Sequence, residues 1–217
     1  FYIQLIIVIM QITKWFKELG EILKSRSHLF TKKYVYDFSK NLENDLERFI
    51  KERSAYVTQV TLFGYLKTRM GTRHTLFFSD KKFNSSIKNA SWNIYVVSLV
   101  DCIFYAFSYL DKAKVLKREN AKQMFINILK KDKEIGLNTE IFEKGLNIFS
   151  NKVKNIKWES YYLEEPFKDS GLALYDWAPI ADELKKLDKK IVLNSMHLKW
   201  NLIQNEFIGL VKKAKII

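Results

Sequence analysis

Glycine and proline are scarce, at seven and two in 217 residues. Sandwiches and barrels need turn formers roughly every ten residues, so an all-β architecture is excluded. Cysteine occurs once, at Cys102. It cannot form an internal disulfide, and among its apolar neighbours it reads as a buried thiol in a reducing compartment, so a cytoplasmic location is expected. The histidines are His28, His74 and His197. With one cysteine they make no recognisable zinc ligand pair, and neither a metal nor any other cofactor is expected. The chain also lacks a phosphate-binding glycine loop, a dinucleotide fingerprint, a His-Glu-x-x-His pair and a calcium loop. No glycine stands in the Gly-x-Ser-x-Gly arrangement of an α/β-hydrolase. Ser195 and His197 lie two positions apart, which on a helix points them to different sides.

What is present is apolar and basic. Apolar residues make up 47% and aromatics 15% of the chain, enough to bury a core within one domain. Long stretches rich in Leu, Ile, Lys, Glu and Asn, with few breakers, read as helices. The expected fold is all-α, a single-domain helical bundle of about five to seven helices. The formal charge of +13 favours an acidic protein partner or an anionic surface. No helix-turn-helix or base-stacking pattern accompanies it, so contact with nucleic acid is expected only as sequence-independent, salt-sensitive binding.

The chain opens with "FYIQLIIVIMQITKWF", which lacks the basic region and cleavage site of a secretory signal. Three readings stand: the end of a membrane span, an anchor giving residues 1–12 a peripheral membrane contact, or upstream sequence before a start at Met10. The last is preferred, because an amphipathic face of Trp15, Leu19, Ile22 and Leu23 begins just after it. Residues 1–10 are then an apolar N-terminal segment and 11–217 the helical domain.

Helical spacing of Leu42, Leu46, Phe49, Ile50, Val57, Val60 and Phe63 predicts a long helix near 39–70, capped by Ser39 or Asn41 and ending at Gly71. Asp80 caps the next, near 81–110, which is apolar almost all round from Trp92 onward. Asn93, Ser98, Asp101 and Ser108 interrupt that run, so it reads as a central core helix rather than a membrane span. Asp101 then needs a partner, for which Arg69 and Arg73 are the candidates. Two shorter helices follow as a hairpin on either side of Gly136. Residues 157–175, with Pro166 and Gly171, are expected to form an irregular connection serving as a lid or docking surface. Pro179 is expected to open a last helix, near 179–213, with an inward seam of Ile180, Leu184, Leu187, Ile191, Leu198 and Leu202 running on toward Phe207 and Val211. Asn194 falls on that seam as a buried polar residue, fixing register or lining a polar cavity. The helices 39–70 and 179–213 are expected to pack along 92–110.

The stretch "YLKTRMGTRH", Tyr65–His74, gathers cationic side chains around one glycine. As a helix end, it explains Lys67 and Arg69 beside the exposed carbonyls of the last turn. As a site, Arg69, Arg73 and His74 are anion-binding candidates, either for Asp101 within the fold or for an external ligand. Two stretches, "YVTQVTLFGYLKTRMGTRH" (Tyr56–His74) and "DWAPIADELKKLDKKIVLNS" (Asp176–Ser195), resemble a little-characterised family of helical proteins from α-proteobacteria. Some of its members carry the automatic label esterase. The likeness covers most of the chain after residue 40 and implies a shared ancestry, with no motif that assigns catalytic residues. The functional expectation is a non-catalytic interaction or scaffold protein contacting an acidic partner. The alternative is an esterase-like hydrolase with a site between helices near 69–74 and 176–182.

Overall fold

The computed structural model describes residues 36–73 and 80–217. The readings of the N-terminal segment and of His74, and the side chain of Arg73, lie outside the described residues.

Six α-helices follow in order: α1, Leu42–Met70; α2, Lys81–Asp111; α3, Glu119–Glu134; α4, Thr139–Asn155; α5, Lys168–Trp177; and α6, Asp182–Lys213. Two single 3-10 turns, Gly71–Arg73 and Tyr161–Leu163, complete the described secondary structure. The all-α bundle expected from composition is the fold observed.

Local chemistry sets the helix ends. Asn41, not Ser39, caps α1 by accepting the Asn44 amide at 3.3 Å, while Ser39 bonds back to Asp37. Glu43 and Asp45 sit in the first turn against the positive end of the dipole. At the far end Gly71 adopts φ 55° and donates its amide to the Lys67 carbonyl, a backbone state that favours glycine. Asp80 caps α2 by accepting the Phe83 amide at 2.7 Å.

Helix α2 is the axis of the bundle. It is long and apolar enough to cross a membrane by length and composition, but most of that stretch is buried inside the fold. Helices α1, α3, α4 and α5 all pack on it. Small residues let α1 approach closely: Ser54 Oγ donates to the Ser98 carbonyl and Thr58 Oγ1 to Ser98 Oγ, each at 3.3 Å. The expected α3–α4 hairpin turns at Gly136, φ 112°, and stacks Phe125 on Phe149 with centroids 4.8 Å apart. Gly145 allows α4 to cross α2, since a Cβ there would lie 2.7 Å from Val96 Cγ1 and 3.3 Å from Leu129 Cδ1.

Three expectations are corrected. A helix, α5, occupies most of the second half of the stretch expected to be irregular. Gly171 lies inside it as a point of close approach, where a Cβ would meet Leu193 Cδ2 of α6 at 2.8 Å. The true connection, 156–167, is no lid: Tyr162 donates its amide to Ser108 Oγ at 3.1 Å, Ser108 bonds the Trp158 carbonyl, and the Trp158 ring sits 5.1 Å from Phe104. Pro179 does not open α6. It holds Ala178 extended (ψ 128°), as a residue before proline prefers, and α6 begins after Ala181. Finally, α6 packs on α5 and α1 rather than along α2, which it reaches through Phe207, 5.7 Å from both Tyr105 and Tyr109. Its inward face is Val192, Met196, Trp200, Ile203, Phe207 and Val211. Of the seam expected to face inward, Leu184, Leu187, Ile191, Leu198 and Leu202 face solvent, whereas Ile180 packs against the core and Phe207 and Val211 are buried.

The glycines differ in what they can tolerate. Gly145→Ala should lower unfolding free energy by about 1–3 kcal/mol through overpacking. Gly64→Ala, in α1 with open space around it, should raise it by about 0.5–1 kcal/mol through helix propensity. Urea denaturation of the two variants reads both, and equal behaviour would contradict the α2–α4 crossing.

Candidate functional site

Asp101 is fully buried on α2, and the partner that balances its charge is Lys152 of α4, not Arg69. Ser170 of α5 supplies two more donors to Oδ2, its amide at 2.8 Å and its hydroxyl. The amide contact makes Asp101 a distant N-cap for α5, which lacks a side-chain cap of its own. Lys152 also reaches Asp169 at 2.8 Å and lies 5.1 Å from the centre of the Tyr161 ring. Burial pushes the Asp101 carboxyl above its ordinary value, against the pull of Lys152. Burial acts to lower the Lys152 ammonium, but Asp101 and then Asp169 outweigh it, so its pKa is raised.

Arg69 does meet a carboxylate, and it is Asp188 of α6. The guanidinium binds both oxygens, and Tyr65 donates its hydroxyl to Oδ2 at 2.8 Å. A third buried carboxylate, Asp132 of α3, accepts from Tyr95 at 2.7 Å and pairs with Lys51 of α1 at 2.9 Å. Asn194 is exposed on α6, not buried, because the face that carries it is the outward one. Within the 176–182 segment, the Asp176 carbonyl accepts from Lys185 at 2.9 Å. The structure thus brings Arg69 together with Asp188 and Tyr65, and separates it from Asp101. Sequence reasoning missed Lys152, Ser170, Asp132 and Asp188. The available signal was a polar residue at a core register: Asp132 follows Phe125, Ile128 and Leu129, and Lys152 follows Phe142, Gly145 and Phe149.

A cleft of about 580 Å³ opens beside Lys152, lined by Asn151, Asn155, Lys157, Tyr161, Glu164 and Asp169 among others. Its chemistry is already committed. The Ser170 hydroxyl is buried and donated to Asp101, so it is not held for attack. Lys152 is kept as an ammonium between two carboxylates, whereas a lysine base must be neutral. Burial raises the Tyr161 phenol far above its ordinary value, and the hydroxyl donates to the Pro166 carbonyl at 2.6 Å. Among the described residues no three His, Cys, Asp or Glu side chains converge as a metal site requires.

The second feature is the outward face of α6. Leu184, Leu187, Ile191, Leu198 and Leu202 are 47%, 80%, 67%, 63% and 59% exposed. They form one row along about 27 Å of helix, with Asn194 at its middle. Scattered apolar residues on a surface need no explanation, whereas a row of this kind is a candidate contact face. Searches against family models, curated proteins and solved structures found no match to the chain.

Lys152→Met should destabilise the fold by about 3–5 kcal/mol, because it leaves Asp101 buried and unpaired. The pH dependence has a definite sign. A carboxyl whose folded pKa is raised stabilises most below its unfolded value of about 3.9, and that stability is lost as pH rises through the folded pKa. Denaturation series should therefore show the variant's deficit shrinking toward acid, and a pH-independent deficit would contradict the pairing. Burial also pushes the Cys102 thiol up to about 12. A thiol-reactive chromogen should label no cysteine in the native chain at neutral pH and one after unfolding.

Proposed function

We propose that the protein is a non-catalytic interaction protein that holds an acidic partner against the outward face of α6. The observation that carries this reading is the uncovered row from Leu184 to Leu202. Lys186, Lys190 and Lys199 flank the row. Beyond the first turn, the acidic groups on the same helix are engaged elsewhere: Asp188 by Arg69, and Glu206 by Arg53 of α1. The face therefore offers apolar area ringed by positive charge, which suits a partner of opposite sign.

The esterase-like alternative draws on the cleft at Lys152, where α4, the 156–167 connection and α5 converge. It lacks a free nucleophile and a neutral base, since Ser170 and Lys152 are both bound to Asp101. The site first expected near Arg69 is likewise occupied internally by Asp188.

Photo-crosslinking amino acids at positions 187 and 198, with position 130 of α3 as an exposed control, test the reading in cells. Specific adducts with an acidic protein at 187 and 198, lost when Ile191→Asp is added, are expected. Adduct yields equal to those at position 130 would overturn it. So would steady ester turnover by the purified chain that Tyr161→Phe abolishes.

A further inference from the structure

The row on α6 has the spacing of a helix-pairing seam. Its members recur at 184, 187, 191, 194 and 198, alternating steps of three and four as the a and d positions of heptads do. Its side chains are Leu and Ile, the residues that form knobs for the holes of a facing helix. At its centre stands a single exposed amide, Asn194. One polar residue on such a seam sets the register of the partner, because its amide must be hydrogen-bonded once water is excluded.

Resting on the reading of this face as the contact surface, we propose that its occupant is an acidic amphipathic helix, placed in register by Asn194. Charge selects the occupant. At 100° per residue, Lys186 and Lys190 fall on one flank of the row and Lys199 on the other. The acidic exceptions, Asp182 and Glu183, lie in the first turn of α6, where they answer the helix dipole. A helix with glutamates beside its apolar stripe would meet these lysines as flanking charges do in paired helices.

A second copy of the chain fits poorly. Pairing of two copies through the row, in either sense, brings together two faces flanked by Lys186, Lys190 and Lys199. Both arrangements oppose like charges. A bilayer also fits poorly: the row contains no aromatic side chain to anchor at the headgroups, and Asn194 would be desolvated at its centre.

The test uses the full chain and a synthetic helical peptide of about four heptads, with Leu at a and d, Glu at e and g, and one Asn. Saturable binding that weakens as salt is raised is expected. Leu187→Asp with Ile191→Asp should reduce it about tenfold or more. Both side chains are exposed, so circular dichroism and melting should match the parent. Lys190→Glu with Lys199→Glu should weaken the acidic peptide and strengthen a version carrying Lys in place of Glu. Asn194→Leu should erase the preference between the in-register peptide and one whose Asn is moved by a heptad.

Equal binding of acidic and basic peptides would overturn the charge assignment. Peptide silence combined with α6-dependent sedimentation on phosphatidylglycerol vesicles would replace the helix with a membrane. An α6-dependent dimer in analytical ultracentrifugation would replace it with a second copy. Specific crosslinks at 187 and 198 to an acidic protein, without peptide binding, would overturn the helical occupant and leave the interaction reading in place.

Discussion

A carboxylate withdrawn from water must be met by a cation or by hydrogen-bond donors, or it takes up a proton. Among the described residues the bundle buries three, and each receives both a cation and a hydroxyl: Lys152 and Ser170 for Asp101, Lys51 and Tyr95 for Asp132, Arg69 and Tyr65 for Asp188. The donors come from other helices in every case. Asp101 joins α2 to α4 and α5, Asp132 joins α3 to α1 and α2, and Asp188 joins α6 to α1. Together these contacts reach all six helices. Apolar packing alone tolerates sliding between similar arrangements, whereas a buried charge is satisfied in few of them. The three clusters therefore account for how long helices, rich in interchangeable Leu and Ile, settle into one arrangement.

The same arrangement separates a committed polar interior from one exposed apolar face. Polar groups that a catalytic site would need are consumed in the interior, as with Ser170 and Lys152, both bound to Asp101. What remains available lies on the outside of α6, whose two opposite faces are both apolar. The inward one is built from large, shaped side chains: Trp200 stacks on Phe167 at 4.1 Å and Phe207 meets Phe38 at 5.8 Å. The outward one is a plain row of Leu and Ile between lysines. Size and shape bury the first face. The second, more regular in its spacing, is left exposed.

That division explains which features could be read from the sequence. Long apolar-periodic runs bounded by Asn41, Gly71, Asp80 and Gly136 made α1, α2 and the α3–α4 hairpin legible, because caps and positive-φ glycines act locally. Helix α5 was hidden by Gly171, which local rules take for a break and which Leu193 requires for close approach. For α6 periodicity detects an apolar stripe but not which side of the helix the rest of the fold occupies, so the more regular seam was assigned inward. Asp101 was recognised as needing a partner. Lys152 went unnoticed beside the candidates Arg69 and Arg73, because a lysine on the register of Phe149 looks like a surface charge until the helices are placed.

The cap that Asp101 provides to α5 has a consequence for the order of assembly. Helix α5 has ten residues, below the about 12–15 at which isolated helices become marginally stable in water. The group that accepts its Ser170 amide lies 69 positions earlier in the chain. The segment 168–177 therefore has little reason to be helical before α2 and α4 have met, and its ordering belongs late in folding. Because α6 docks on α5 as well as on α1, its seating is complete only once Asp101 has been paired, and the exposed row it carries takes its final position late.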